Sequence, residues 1–384
     1  MSRKICVVIT ARPSYARIKT ALQAINKHPE LELQLVVAAS ALLDKYGNAV
    51  AQIEKDGFHI TEKVYTLVEG ENLVTTSKST GLGIIELSTV FDQLRPDAVV
   101  TIADRFETIS TSIAASYMNI PLAHIQGGEV TGSIDEKVRH ANTKLADLHF
   151  VSTNKAAERV IKMGEEPAKV HITGCPSIDI AENVLKNCRI DFDIIPKYGG
   201  VGSQFDVNSG YIVVMQHPVT TENDQAREQV LATLNAVNAL NMNTFWFWPN
   251  VDAGSDGTSK GIRTFRETRN PNNIWFLKNM SPEDFLKLLC NSRCIVGNSS
   301  VAIRECSYLG VPAVNIGTRQ AGRERGKNVI DTSYSSKEIE EAILKQIEHG
   351  FYEKDTVYGD GKAGEKIAAL LAREPLSFTK RLTY

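Results

Sequence analysis

Short runs of consecutive apolar residues alternate along the chain with longer stretches whose apolar residues recur three and four apart. In the first half the runs fall at 5–10, 33–40, 97–104, 121–126, 148–153 and 170–174. They are rich in Val and Ile and read as β-strands. The stretches between them, such as 16–26 and 106–118, read as amphipathic helices. Strand–helix–strand alternation predicts a parallel sheet with crossover helices, an α/β architecture. The stretch KYGGVGSQFDVNSG (197–210) interrupts the rhythm, and its Gly and Ser predict a flexible connection. The alternation then resumes, with strands expected at 211–217, 244–249, 274–278, 294–297 and 311–317.

The pattern therefore predicts two Rossmann-like α/β domains with a central cleft. The expected bounds are 1–180 for the first, 181–365 for the second, and 366–384 for a tail that packs back on the first. A length of 384 residues agrees with this count. Neither an internal repeat nor a low-complexity tract is evident. Lys plus Arg total 43 against 45 Asp plus Glu, a formal charge of −2. That balance argues against a nucleic-acid binder relying on bulk positive charge. No apolar run approaches the roughly 18–20 residues needed to span a bilayer. The start, Met1-Ser2-Arg3-Lys4, leads directly into a strand-length run without a secretory pattern, so a cytoplasmic protein without membrane partners is expected. Six scattered cysteines, none completing a zinc set, predict free and mostly buried thiols.

Open parallel sheets bind ligands beyond the carboxyl ends of their strands. The residues after each strand are accordingly the candidates. Arg12 follows the first strand, with Pro13 and Ser14 opening a helix that Ser14 can cap. A helix N-terminus beside an arginine suits phosphate, although a solvated loop would present the same residues. No G-x-G-x-x-G is present, so no dinucleotide is expected. Asp104 and Arg105 follow the third strand. An acid ending a buried strand can transfer protons in a cleft, or it can cap the next helix. The fourth strand leads into Gln126-Gly127-Gly128-Glu129, then Gly132-Ser133-Ile134-Asp135-Glu136. Here the glycines permit close ligand approach, and Ser133 with Glu136 can form a capping box. His140 lies one helical turn after Glu136.

In the second half His217 ends a strand, and Asn250 follows the next one. Gly297-Asn298-Ser299-Ser300 reads as a small-residue turn between strand and helix, an anion site. Glu305, one turn on, can accept from vicinal ribose hydroxyls or pair with an arginine. Arg319 adds a cation after a later strand.

Several stretches together resemble the UDP-N-acetylglucosamine 2-epimerases, in particular the hydrolysing branch. They are ADRFET (103–108), HIQGGEVTGSID (124–135), VRHANTKLADLH (138–149), QHPVTT (216–221), PNVDAGS (249–255), GNSS (297–300) and GTRQAGRERGKNVI (317–330). They occur in family order over nearly the whole chain. The resemblance implies a glycosyltransferase-B-like fold with UDP anchored mainly by the second domain. By motif, Ser299 and Ser300 hold the diphosphate, Glu305 the ribose, and Arg12 the phosphates from the first domain. Tyr15, Arg105, Gln126, His217, Asn250 and Arg319 are expected near the diphosphate or sugar.

The implied reaction eliminates UDP across C1–C2 of a 2-acetamido sugar to give a glycal. Water then adds at C1, and a proton returns to C2 on the opposite face. A base, an acid and a stabilised leaving group are required. Asp104, Glu129 and Asp135 are expected to act as the acids, with His217. Two departures stand out. Some relatives carry Glu where this chain has Gln126, and the first loop is TARPSYA where Arg-Ala-Asp-Tyr is common. UDP-N-acetylglucosamine, on a sialic-acid route, is the first-choice substrate, and UDP-2,4-diacetamido-2,4,6-trideoxyglucose, on the route to legionaminic acid, the alternative. A non-hydrolysing epimerase, a glycosyltransferase and a non-catalytic nucleotide-sugar binder are the competing readings. A homodimer or homotetramer is implied, with neither metal nor nicotinamide.

Overall fold

A computed structural model of the chain describes residues 2–43, 49–70, 72–130, 134–249 and 255–383. It divides into two compact units. One comprises residues 1–130, 134–179 and 358–384, and the other 180–357. The chain returns to the first unit at Tyr358, earlier than the residue 366 expected from the sequence.

In chain order the elements begin with β1 (Arg3–Ile9), α1 (Arg12–Lys27), β2 (Leu31–Ala38), α2 (Ala49–Lys55), β3 (Glu62–Val64) and α3 (Leu73–Leu94). Next come β4 (Ala98–Ile102), α4 (Thr108–Tyr117), β5 (Leu122–Ile125), α5 (Ile134–Leu145), β6 (Leu148–Val151), α6 (Asn154–Lys162), β7 (Val170–Ile172) and α7 (Pro176–Leu185). Then follow α8 (Ile194–Tyr198), β8 (Val201–Gly202), β9 (Ile212–Met215), α9 (Ala226–Leu240), β10 (Thr244–Phe247), α10 (Ser255–Arg269) and β11 (Ile274–Leu277). The remainder is α11 (Pro282–Cys290), β12 (Ile295–Gly297), α12 (Glu305–Leu309), β13 (Ala313–Ile316), β14 (Val329–Thr332), α13 (Ser336–His349) and α14 (Ala363–Arg373).

The first unit's sheet has the order β3-β2-β1-β4-β5-β6-β7 and is parallel throughout. In β1, Ile5, Val7 and Ile9 pack against α1 and α14, while Cys6 and Val8 join the cluster holding Leu87 and Phe91 of α3. Both faces are covered, which is why the strand is a continuous apolar run. The second sheet has the order β14-β13-β12-β9-β10-β11-β8, and only β8 is antiparallel. Each order reverses direction at one place, between β1 and β4 and between β9 and β12. Such switch points are where open sheets bind ligands.

The glycine-rich stretch at 197–210 is more ordered than its composition predicts. Val201–Gly202 forms the edge strand β8 against β11. Gly200 and Gly202 have φ +119° and +130°, and a Cβ at either would lie 2.3 Å from Trp275 Nε1 or 2.2 Å from the Ile274 carbonyl oxygen. These glycines serve close backbone approach rather than flexibility. The short strands β3 and β14 also escape the sequence pattern, since Glu62-Lys63-Val64 and Val329-Ile330-Asp331-Thr332 form no apolar run.

The C-terminal segment is built into the first unit. Asp179 accepts from the N–H groups of Ala363 (2.8 Å) and Gly364 (2.7 Å) at the start of α14, and from the Thr20 hydroxyl (2.8 Å) of α1. Beyond α14, the Lys380 ammonium lies 2.5 Å from Glu165, which also accepts from Lys144 (2.5 Å) and faces His149 (3.0 Å). Burial opposes the Glu165 charge, but bonds from His149, Lys144 and Lys380 prevail and hold its carboxyl at about 2. The unfolded value is about 4.3. The stabilisation is therefore complete above pH ~4.3 and is lost as pH falls toward ~2. Lys380→Met should cost about 2 kcal/mol at neutral pH, or roughly 4–8 °C in melting temperature. The gap from the parent should narrow as pH falls below about 4 and close only toward pH ~2, where Glu165 protonates in the parent as well. A gap independent of pH would place the effect outside the Glu165 cluster.

All six cysteines are free. Among the described residues no helix is long and apolar enough to cross a membrane.

Candidate active site

In the first unit only some of the candidates flank the switch point. The fork between β1 and β4 carries Arg12 after one strand and Asp104 after the other. Helix α1 begins at Arg12 itself, with Ala11 at the N-cap position and no side-chain cap. Ser14 lies inside the first turn, so its expected capping role is corrected. Pro13 near the helix start needs no N–H partner, which lets the helix begin early. Arg12 is half-buried, and desolvation lowers its pKa.

Asp104 does not cap α4. Its carboxylate bonds Arg139 of α5, which is wholly buried, and lies 3.7 Å from Arg17 of α1. The bond from Arg139 orients the carboxylate. Arg105 turns instead to Glu107, 3.3 Å away.

Gln126 is wholly buried in the left-handed region at φ +66°. Its amide donates to Cys175 Sγ at 2.9 Å, and its Oε1 is buried without a partner. Glu129 is also buried and accepts from the Ser152 hydroxyl at 2.9 Å. Asp135 is partly exposed in the first turn of α5. His140 pairs with Glu136 at 3.0 Å on the same helix. Tyr15 is a correction: it is core-packed against Phe58 and donates to Asp56 at 2.5 Å, because its position on α1 faces the sheet.

Three residues beneath the strand ends were not singled out from the sequence: Arg139, Asn142 and Thr143, all wholly buried. With Ala146 they form a stripe at helical spacing on the covered face of α5. A polar stripe at this spacing is equally that of a solvated helix face, so no sequence signal marks them. Burial lowers the His124 pKa to about 4, so the ring is neutral. Its Nε2 donates to the Ala103 carbonyl at 3.0 Å.

In the second unit the switch point lies between β9 and β12. His217 follows one strand and Ser299 and Ser300 follow the other. Asn298 ties them together: it accepts from the His217 N–H (2.7 Å) and donates to its carbonyl (2.8 Å). Arg319 and Gln320 both donate to the Asn298 carbonyl, at 3.2 and 2.8 Å. The loops after β9, β12 and β13 thus share one anchor. Glu222, Thr318 and Tyr334 add a second link, since Glu222 accepts from both hydroxyls.

The expected helix directly after GNSS is corrected. A single 3-10 turn spans Ser300–Ala302, capped by Ser299, and the short α12 starts at Glu305. Burial of Ala302, Ile303 and Arg304 against the sheet takes precedence over helix continuity. Glu305 Oε2 is buried without a hydrogen-bond partner, and no arginine pairs with Glu305 among the described residues. Gln216 Oε1 and Gln320 Oε1 are likewise buried acceptors without donors. Acceptors in this condition mark a place where a ligand carrying hydroxyl or N–H groups would complete the bonding. Asn250 lies outside the described residues, as does Ser133. Among the described residues no group of three or more His, Cys, Asp or Glu is placed to hold a metal ion.

The sequence profile of the family described as UDP-N-acetylglucosamine 2-epimerase matches residues 23–372. The chain is 31% identical to the Legionella pneumophila UDP-N,N'-diacetylbacillosamine 2-epimerase (hydrolyzing), over 98% of this chain and 97% of that one. It is 32% identical to the Escherichia coli polysialic acid biosynthesis protein P7, over 89% and 85% of the two chains. Among solved structures, Neisseria meningitidis UDP-GlcNAc 2-epimerase bound to UDP-GlcNAc superposes with a TM-score of 0.80 at 17% identity, covering 97% of this chain and 100% of that one. That likeness establishes a shared two-domain, glycosyltransferase-B-like α/β fold. With a family match across most of its length and similarity to a hydrolysing enzyme end to end, this chain belongs to the UDP-N-acetylglucosamine 2-epimerase family, in its hydrolysing branch.

Proposed function

We propose that the protein converts a UDP-2-acetamido sugar and water into UDP and the free manno-configured sugar, in nonulosonic (sialic-type) acid biosynthesis. The observation that carries this reading is the pairing of two kinds of group. The second unit holds the buried unpartnered acceptor of Glu305 beside Ser299 and Ser300, which suits a ribose and a diphosphate. The first unit ends β4 in the doubly paired Asp104. In this reading Glu305 accepts from the ribose hydroxyls, and Ser299, Ser300, Arg12 and Arg319 stabilise the departing UDP. Asp104, Glu129 and Asp135, with His217, move the protons. A base takes the C2 proton as the C1–O bond to UDP breaks, forming a glycal. Water's oxygen then adds to C1 while a proton is delivered to the opposite face of C2.

UDP-N-acetylglucosamine, giving N-acetylmannosamine, is the first substrate to test. The UDP-2,4-diacetamido-2,4,6-trideoxy sugar is the second reading, favoured by the similarity to the Legionella protein of that substrate name. Incubation with each sugar in water, without cofactor or acceptor, should yield one UDP per free manno-sugar. An equilibrium mixture of two UDP-sugars would instead indicate the non-hydrolysing reaction. Absence of any turnover on either sugar would overturn the proposal.

A further inference from the structure

We propose that Arg139 is a positioning residue: its guanidinium fork fixes the Asp104 carboxylate relative to the end of the neighbouring strand β5. This rests on the reading of Asp104 as a proton-transfer group. Arg139 is wholly buried, and its two terminal nitrogens go to different strand ends. Nη1 donates to the Gln126 carbonyl at 2.7 Å, and Nη2 to Asp104. Strands β4 and β5 are neighbours, and each ends in a residue with left-handed backbone. Ala103, before Asp104, has φ +62°, and Gln126 has φ +66°. Neither is glycine, and such residues hold this conformation only where the surroundings impose it.

The surroundings here are polar and come mostly from α5. His124 Nε2 donates to the Ala103 carbonyl at 3.0 Å, and Thr143 Oγ1 lies 3.1 Å from the other ring nitrogen. Asn142 reaches the Thr108 hydroxyl at 2.8 Å. The fork of Arg139 spans the two turned strand ends directly. A planar, rigid group with two donors can set both distances at once, whereas an ammonium on a flexible stem sets one. Arg17 offers the contrast. It carries the same charge to Asp104, but at 3.7 Å and partly exposed. Charge alone would make the two arginines equivalent, and geometry makes them different.

The test compares Arg139→Lys, Arg17→Lys and Asp104→Asn, with UDP release from UDP-N-acetylglucosamine as the assay and UDP affinity by calorimetry as the second readout. Arg139→Lys keeps the charge and should lower kcat about 10–100-fold, the effect of roughly 1 Å of misplacement. Its KM and UDP affinity should stay within about threefold of the parent, since most of the proposed nucleotide groups, Ser299, Ser300, Glu305 and Arg319, lie on the other unit. Arg17→Lys should lower kcat less than Arg139→Lys does, since Arg17 lies 3.7 Å from Asp104 and is partly exposed. Parental kcat in Arg139→Lys overturns the positioning role, and so does a parallel loss of kcat and UDP affinity. If Asp104→Asn itself keeps full turnover, the reading of Asp104 falls first. If Asp104→Asn is inactive while Arg139→Lys is fully active, the positioning role alone falls. Should Arg139→Lys not fold, Arg139→Gln, which retains a planar donor, is measured against the same outcomes.

Discussion

Replacing Asp104 by asparagine should lower turnover by about 10²–10⁴-fold, the range spanned by a positioned general acid or base. The substitution keeps the side chain's shape and one acceptor oxygen. It removes the capacity to exchange a proton and the charge that Arg139 and Arg17 oppose. Because Arg139 is wholly buried, losing its charged partner should also cost about 3 kcal/mol of stability. Turnover is therefore to be compared below the variant's melting temperature. UDP affinity should stay within about threefold, as Glu305, Ser299 and Ser300 belong to the other unit. A fully active Asp104→Asn would remove Asp104 from the chemistry and leave Glu129 and Asp135 to account for it.

Gly297→Ala should damage folding and nucleotide binding together. Gly297 ends β12 at φ +133°, and a Cβ there would lie 2.2 Å from the Met215 carbonyl oxygen of β9. The strain and the overpacking together should cost about 3 kcal/mol or more, near 6–12 °C in melting temperature. The effect on binding follows from the next residue. Asn298 holds both backbone groups of His217 and accepts from Arg319 and Gln320. Shifting β12 from β9 would spread these loops, and UDP affinity should fall by about tenfold or more, the effect of roughly 1.4 kcal/mol of lost contact. Gly199→Ala is the control. Gly199 is also left-handed, at φ +65°, but nothing lies within 4 Å of its Cβ position. It should cost about 1–3 kcal/mol, from backbone strain alone and without a clash. Equal melting temperatures and equal UDP affinities for the two variants would show that the close approach to Met215 does not matter.

What could be read from the chain was element type and order, and the strand ends as candidate ground. Both follow from local physics. A strand covered on both faces must be apolar throughout, as 5–9 is, and a half-covered helix must show the period of 3.6. Motifs after the strands pointed to Asp104, His217, Ser299 and Glu305 because ligand-binding backbone turns need small and polar residues. Partnership was not readable. Arg139 meets Asp104 across 35 residues of sequence, through the register of β4 and β5 and the seating of α5. Its spacing with Asn142 and Thr143 is equally that of a solvated helix face, so only packing decides that the stripe is buried. Tyr15 went to the core because α1 turns that face to the sheet. Gly200 and Gly202 were needed for close approach to β11 rather than for freedom. Local sequence carries conformational preference and burial tendency, which are properties of neighbouring residues. Which distant groups become hydrogen-bonded is set by strand register and helix packing, and that belongs to the tertiary structure alone.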